Sequence, residues 1–275
     1  MIILSKPVSW YPFTEQELRM ADEIAERFLY YPDRIPAEMP PPPWAAGASE
    51  VWLDAIDGVR IHGLWWPGPP GRPAVLFLHG NAQEVYSWSL VYRELAQLEC
   101  AMLLIDYRGY GKSEGRPHEE GLYLDGRAAL DWLMGEGFAE GEIVVFGKSL
   151  GGAVACEICR GMNPMALILE STFTSLSSVA RHLFPFIRGY TPQADAYNSL
   201  IQLPGINCPV LVIHGDADAL IPVEEGLRLF EAAGEPKELF LVEGAGHNDV
   251  SITAGPEYGR RIRAWLDGMG SGLES

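Results

Sequence analysis

The sequence predicts an α/β fold built on a mostly parallel, eight-stranded sheet with helices on both faces. Three observations carry that prediction. Two strand-like runs, residues 51–55 and 59–66, flank Asp57-Gly58, a dipeptide suited to the tight turn of an antiparallel hairpin. Six short apolar runs follow, at 74–78, 101–105, 142–146, 166–169, 209–213 and 238–242. Most are apolar without alternation, as strands covered on both faces must be. Helical periodicity separates them, at 87–98, 119–134, 150–160 and 223–233, with a last helix at 256–266. An opening hairpin followed by alternating strand and helix closes into a parallel sheet with crossover helices on both sides.

Taken in order, residues 1–45 stand apart as a helical extension. Thr14-Glu15-Gln16-Glu17 is a capping-box pattern, and Leu18, Ala21, Ile24, Ala25 and Phe28 then recur at helical spacing. The polar face carries Glu15, Asp22, Glu23 and Glu26, whereas a helix lying on a membrane surface favours Lys and Arg there. Four prolines from Pro40 to Pro43 end the extension in an extended stretch. The remaining residues, 46–270, are expected to form one catalytic domain. Within it, residues 171–203 interrupt the alternation of strand and helix. Connections of that length inside a compact domain are usually functional insertions. The apolar content of this one, with Phe173, Leu176, Leu183, Phe184, Phe186, Ile187 and Tyr190, predicts a small helical lid. Phe173, Phe184 and Phe186 are its candidate substrate contacts.

Composition narrows the function. At 275 residues, 48% of them hydrophobic, the chain can bury a large single core. A formal net charge of −17 argues against nucleic acid, whose binding needs clustered Lys and Arg, and against anionic membranes. No apolar run reaches the 18 residues of a membrane span, and the opening Met1-Ile2-Ile3-Leu4 is too short for a secretory leader. A cytoplasmic location with reduced thiols is therefore expected. Cys156-x-x-Cys159 has no second CxxC or His pair beside it and falls in a helical stretch, so no metal site is implied.

The chemistry-bearing residues sit where strands end. Gly147-Lys148-Ser149-Leu150-Gly151 follows an apolar strand and opens a helix, the setting of a nucleophile elbow. Its glycines relieve crowding where a strained turn exposes the serine hydroxyl. A phosphate-cradling loop would need GxxxxGK[ST], which is absent. A serine hydroxyl needs a base, and the base needs an orienting acid, in the chain order Ser, acid, His. Of the histidines after Ser149, His182 lies in the lid and His214 ends a strand, which leaves His247 in the loop past the last strand. Asp218 is favoured as the acid over Asp216, which sits in the tight turn after residue 213. The oxyanion donors are read as the amides of Leu150 and of Asn81, with Ala82 as the other candidate in that loop.

The blocks His79-Gly80-Asn81-Ala82, Asp106-Tyr107-Arg108-Gly109-Tyr110-Gly111-Lys112-Ser113-Glu114-Gly115, Gly147 to Gly152 and Glu170-Ser171-Thr172-Phe173 lie in register with the Asp218 and His247 loops. Over residues 50 to 267 the chain resembles the α/β-hydrolase superfamily, in particular its small esterase- and thioesterase-like "alpha/beta hydrolase domain-containing" branch. The resemblance implies a serine hydrolase acting through an acyl-enzyme on a small-molecule carboxylic ester or thioester, with no cofactor. Lipase, amidase and acyltransferase chemistry use the same fold. So do non-catalytic ligand-binding or scaffold proteins, the alternative reading here. Arg108 is expected to be structural.

Overall fold

The structure is a computed structural model that describes residues 30–183 and 196–270. The proposed N-terminal helix and the lid residues Phe184 and Phe186 lie outside the described residues.

Eight strands form one sheet: β1 (Ser49–Asp54), β2 (Arg60–Trp66), β3 (Ala74–Leu78), β4 (Ala101–Ile105), β5 (Ile143–Lys148), β6 (Ala166–Glu170), β7 (Val210–Gly215) and β8 (Lys237–Val242). Their order across the sheet is β8-β7-β6-β5-β3-β4-β2-β1. Only β2 runs against its neighbours, pairing antiparallel with both β1 and β4. The hairpin turn holds as read: Gly58 has φ +82° and its N–H bonds Ala55 O.

The apolar runs lack alternation because both faces of the sheet are covered. Ala74, Leu76 and Leu78 of β3 enter one core cluster, and Val75 and Phe77 enter the other. The same split repeats in β5, with Ile143 and Val145 against Val144 and Phe146. On the first face lie α1 (Glu119–Gly135), α2 (Leu150–Cys159) and α4 (Val223–Ala232), through residues such as Leu130, Ile158 and Leu229. On the second lie residues 85–98 and α5 (Pro256–Gly270), through Leu95, Ile262 and Trp265. Cutting one of the central Leu or Ile side chains back to Ala would cost about 2–5 kcal/mol.

One helix differs from its expectation. The stretch read as a single helix at 87–98 is broken into Val85–Trp88, Val91–Glu94 and a 3₁₀ turn at Ala96–Leu98. Ser89 supplies the break. Its buried hydroxyl donates to Tyr86 O at 2.6 Å, competing with the helical ladder.

Before the sheet, residues 30–36 form an arm along the loops at the carboxyl ends of the strands. Tyr31–Pro32 pairs in parallel with Ala82–Gln83, and Gly111 and Asp33 or Ile35 exchange backbone bonds. The Arg34 guanidinium donates to the carbonyls of Ser113 and Gly115. After β6, α3 (Leu176–Leu183) begins the interval expected to be a lid, and a four-residue helix, Ser199–Gln202, follows it among the described residues.

The chain steps from β3 outward to β4, then returns to the other side of β3 for β5. Open α/β sheets bind ligands outside the carboxyl ends of strands where the order reverses in this way. Asn81 follows β3, and Ser149 follows β5, at that crevice.

Candidate active site

Ser149 is the residue at which β5 becomes α2. Its backbone has φ 54° and ψ −119°, a conformation that L residues reach only at a cost of order 1–3 kcal/mol. The surroundings over-determine it. Ser149 N–H donates to Glu170 O at 2.9 Å, and the Thr172 hydroxyl donates to Ser149 O at 2.6 Å. A Cβ on Gly147 would collide with the Gly151 carbonyl, and one on Gly151 with the carbonyl of Leu78. Both positions therefore need glycine so that strand, elbow and neighbouring loop can approach.

His247 Nε2 lies 3.1 Å from Ser149 Oγ, and His247 Nδ1 lies 2.8 Å from Asp218 Oδ2. The carboxylate can only accept, so Nδ1 carries a proton and Nε2 presents its lone pair to the serine. The other carboxylate oxygen of Asp218 accepts the N–H groups of Leu220 and Ile221, at 2.9 and 2.8 Å. Burial pushes the Asp218 carboxyl up. The hydrogen bond and charge of His247, with the two backbone donors, outweigh burial and hold it below the usual carboxylate range. Asp216 plays another part: its Oδ1 accepts Gly244 N–H at 2.6 Å, fastening the turn after β7 to the loop that carries His247. His214 donates from Nε2 to Ile221 O at 2.9 Å and is kept neutral by burial, which lowers its pKa. It braces the acid loop from beneath.

The loop after β3 faces Ser149. A Cβ on Gly80 would lie 3.4 Å from Ser149 Cβ. His79 is fully buried among Trp88, Tyr107 and Tyr110, and its Nδ1 donates to Gly80 O at 2.7 Å. A trans peptide holds its C=O and N–H antiparallel, so this bond also fixes the direction of Asn81 N–H. Burial lowers the pKa of His79, in keeping with a neutral, structural imidazole. Leu150 N–H, the other donor expected from the sequence, belongs to the first residue of α2, where helical amides lack intrahelical partners.

Phe173 is 5% exposed and packed in the core rather than free at the surface. Arg108 bonds the carboxylates of Asp125 and Asp57, a structural clamp between α1 and the β1–β2 turn.

Three features were not read from the sequence. Lys148 and Glu170, flanking the elbow, form a buried pair at 2.5 Å, and the Tyr258 hydroxyl donates to the other Glu170 oxygen at 2.5 Å. The single Lys in an otherwise apolar strand end was the available signal. Glu225 on α4 receives the N–H and hydroxyl of Thr174 and the hydroxyl of Ser178. Asn81 is gripped through its side chain, as described below. Among the described residues, no group of three or more His, Cys, Asp or Glu could hold a metal ion, and no helix is long and apolar enough to cross a membrane.

A strand–elbow–helix serine, an acid after β7 and a histidine after β8 on this sheet order define an α/β-hydrolase architecture. Residues 69–200 match the family Hydrolase_4, described as serine aminopeptidase, S33. The chain is 37% identical over 243 residues to a Mycobacterium tuberculosis protein that carries no functional name, covering 87% of this chain and 86% of the other. It is 34% identical to alpha/beta hydrolase domain-containing protein WAV2 of Arabidopsis thaliana, covering 80% and 78%. With protein 17B of that group from Homo sapiens it shares 37% identity, covering 72% and 67%. Among solved structures, the Pyrococcus furiosus esterase Pf2001 matches with TM-score 0.68 at 23% identity, covering 86% of this chain and 98% of that one. This chain belongs to the α/β-hydrolase superfamily and is a hydrolase of that fold.

Proposed function

We propose that the protein is a serine hydrolase that cleaves carboxylic ester or thioester bonds through an acyl-enzyme. The observation that carries the reading is the unbroken hydrogen-bond chain Ser149 Oγ, His247, Asp218, at 3.1 and 2.8 Å. Ser149 Oγ attacks the acyl carbon as His247 Nε2 takes its proton. The carbonyl pair moves onto oxygen, facing the amides of Asn81 and Leu150. His247 then gives the proton to the leaving alcohol or thiol, and water repeats the sequence to release the acid. Asp218 stabilises the imidazolium without accepting its proton. No cofactor enters any step. An acyl wall from the lid segment is proposed, and it would fall to residues other than the core-packed Phe173. The free state of Cys100, Cys156, Cys159 and Cys208 accords with a cytoplasmic location.

A second reading, hydrolysis of amides, rests on the aminopeptidase description of the matching family. Parallel assays with p-nitrophenyl esters, acyl-CoA thioesters and amino-acid p-nitroanilides of graded size separate the two. A fluorophosphonate probe should label wild type and leave Ser149→Ala unlabelled, with ester turnover falling on the order of a million-fold. Absence of labelling in wild type would favour a non-catalytic binding protein.

A further inference from the structure

We propose that the Asn81 side chain, held between the Tyr110 hydroxyl and the N-terminal arm, is the positioning device that sets the oxyanion loop for catalysis. This rests on the serine-hydrolase reading above, and it concerns contacts outside the triad.

The Tyr110 hydroxyl approaches Asn81 O at 2.8 Å and Asn81 Oδ1 at 3.0 Å. Its single hydrogen is shared between the two acceptors. Tyr31 N–H reaches the same Oδ1 at 3.2 Å. A backbone N–H can only donate, so the atom facing it is the amide oxygen. Asn81 is thus gripped at its own carbonyl and at its side chain, from two separate parts of the chain. Tyr110 is fully buried, and burial raises its pKa, so the hydroxyl keeps the proton that it donates.

The neighbouring carbonyls are pinned as well. Tyr107 OH donates to His79 O at 3.1 Å and His79 Nδ1 to Gly80 O at 2.7 Å. Three consecutive carbonyls of the loop therefore each accept a side-chain hydrogen bond. Because each peptide is planar, a fixed carbonyl fixes the next residue's N–H. An amide donor that rotated away from the oxyanion would need to break these bonds first.

The arm supplies the part that reaches furthest along the chain. Tyr31–Pro32 runs parallel to Ala82–Gln83, immediately after Asn81. Arg34 anchors the arm to Ser113 and Gly115, in the loop that carries Tyr110. The Tyr30 hydroxyl meets that of Tyr197 at 2.6 Å, where the lid region rejoins the body. One short strap thus connects the oxyanion loop, the Tyr110 loop and the root of the lid.

Removing a single oxyanion donor costs about 10²–10³ in kcat. Loosening one without removing it should cost less. Asn81→Ala keeps the backbone N–H, and Tyr110→Phe deletes one hydroxyl. Each is expected to lower kcat/KM for a short ester on the order of 10-fold, with the double variant no worse than either alone. A trifluoromethyl ketone reports on the oxyanion. Ser149 Oγ bonds its carbonyl carbon, the hydroxyl proton passes to His247, and the carbonyl pair becomes an oxyanion in the hole. Its Ki should weaken by the same factor as kcat/KM in each variant. Arg34→Ala, which loosens the arm and leaves residues 79–82 unaltered, should shift both quantities the same way by a few fold. Additive losses in the double variant, a Ki unchanged while kcat/KM falls, or wild-type activity in Tyr110→Phe would overturn the proposal. Wild-type activity in Arg34→Ala would overturn the arm's part. Fluorophosphonate labelling of wild-type Ser149 tests the hydrolase reading separately, so an idle serine and an unimportant strap give different results.

Discussion

Between the proposed catalytic side chains, a 2.8 Å contact between His247 Nδ1 and Asp218 Oδ2 selects the tautomer, since the carboxylate can only accept. Asp218 is held below the usual carboxylate range, so it is ionised at neutral pH. Asp218→Asn no longer enforces that tautomer and should lower kcat/KM on the order of 10⁴-fold at neutral pH. Asp216→Asn should cost far less, since Asp216 bonds Gly244 N–H and not the imidazole. A larger loss in Asp216→Asn than in Asp218→Asn would reverse the two roles. The sequence could rank these two carboxylates because their places in the turn differ. It could not show that Asp216 fastens the base loop, since that bond joins residues 28 positions apart.

Elements were legible to the extent that their burial leaves a period. Strands β3 to β7 are buried on both faces and stand out as apolar runs. The helix expected at 87–98 failed because the Ser89 side chain, invisible to an apolar period, ends it early. The interval expected to be a lid was legible only as a long apolar stretch, and the attachment of its first helix, α3, was not. Glu225 of α4 makes that attachment, accepting Thr174 N–H at 2.8 Å, Thr174 Oγ1 at 2.6 Å and Ser178 Oγ at 2.6 Å. Burial pushes the Glu225 carboxyl up, but these bonds and Arg228 hold it below its ordinary value. A depressed carboxylate stabilises the fold fully above its unfolded pKa, about 4.3, and less as pH falls through the folded value. Amide protection of α3 should accordingly drop in wild type only below about pH 4.3. In Glu225→Gln it should be lower already at pH 7, with a stability loss of about 1–3 kcal/mol. Equal protection factors in both proteins at neutral pH would show that Glu225 does not fasten α3.

For the molecule as a whole, order along the chain was enough to give the sheet and to single out Ser149, Asp218 and His247, which the fold brings into hydrogen-bond contact, because each follows a strand end. Contacts between segments far apart in sequence were not legible: Tyr31 with Asn81, Lys148 with Glu170 and Tyr258, Arg108 with Asp57. No local pattern encodes a partner that folding alone brings near. Net charge is different, since it is a property of the whole chain and can be read directly. A formal charge of −17 produces a negative field that repels anionic ligands over about 10 Å at 0.1 M salt and further at lower salt. Acyl-CoA thioesters are polyanions, whereas p-nitrophenyl esters of the same acyl group are neutral. If both are hydrolysed, kcat/KM for the thioester should rise as ionic strength increases from about 0.01 to 0.3 M, because screening lengths shrink from about 30 Å to well under 10 Å. The neutral ester should change little over the same range, which controls for effects of salt on the enzyme itself. A thioester rate that falls with added salt would mean that cations at the mouth of the site outweigh the overall field. Those cations would then mark a subsite built for an anionic leaving group, and the thioester would become the better candidate for the natural substrate.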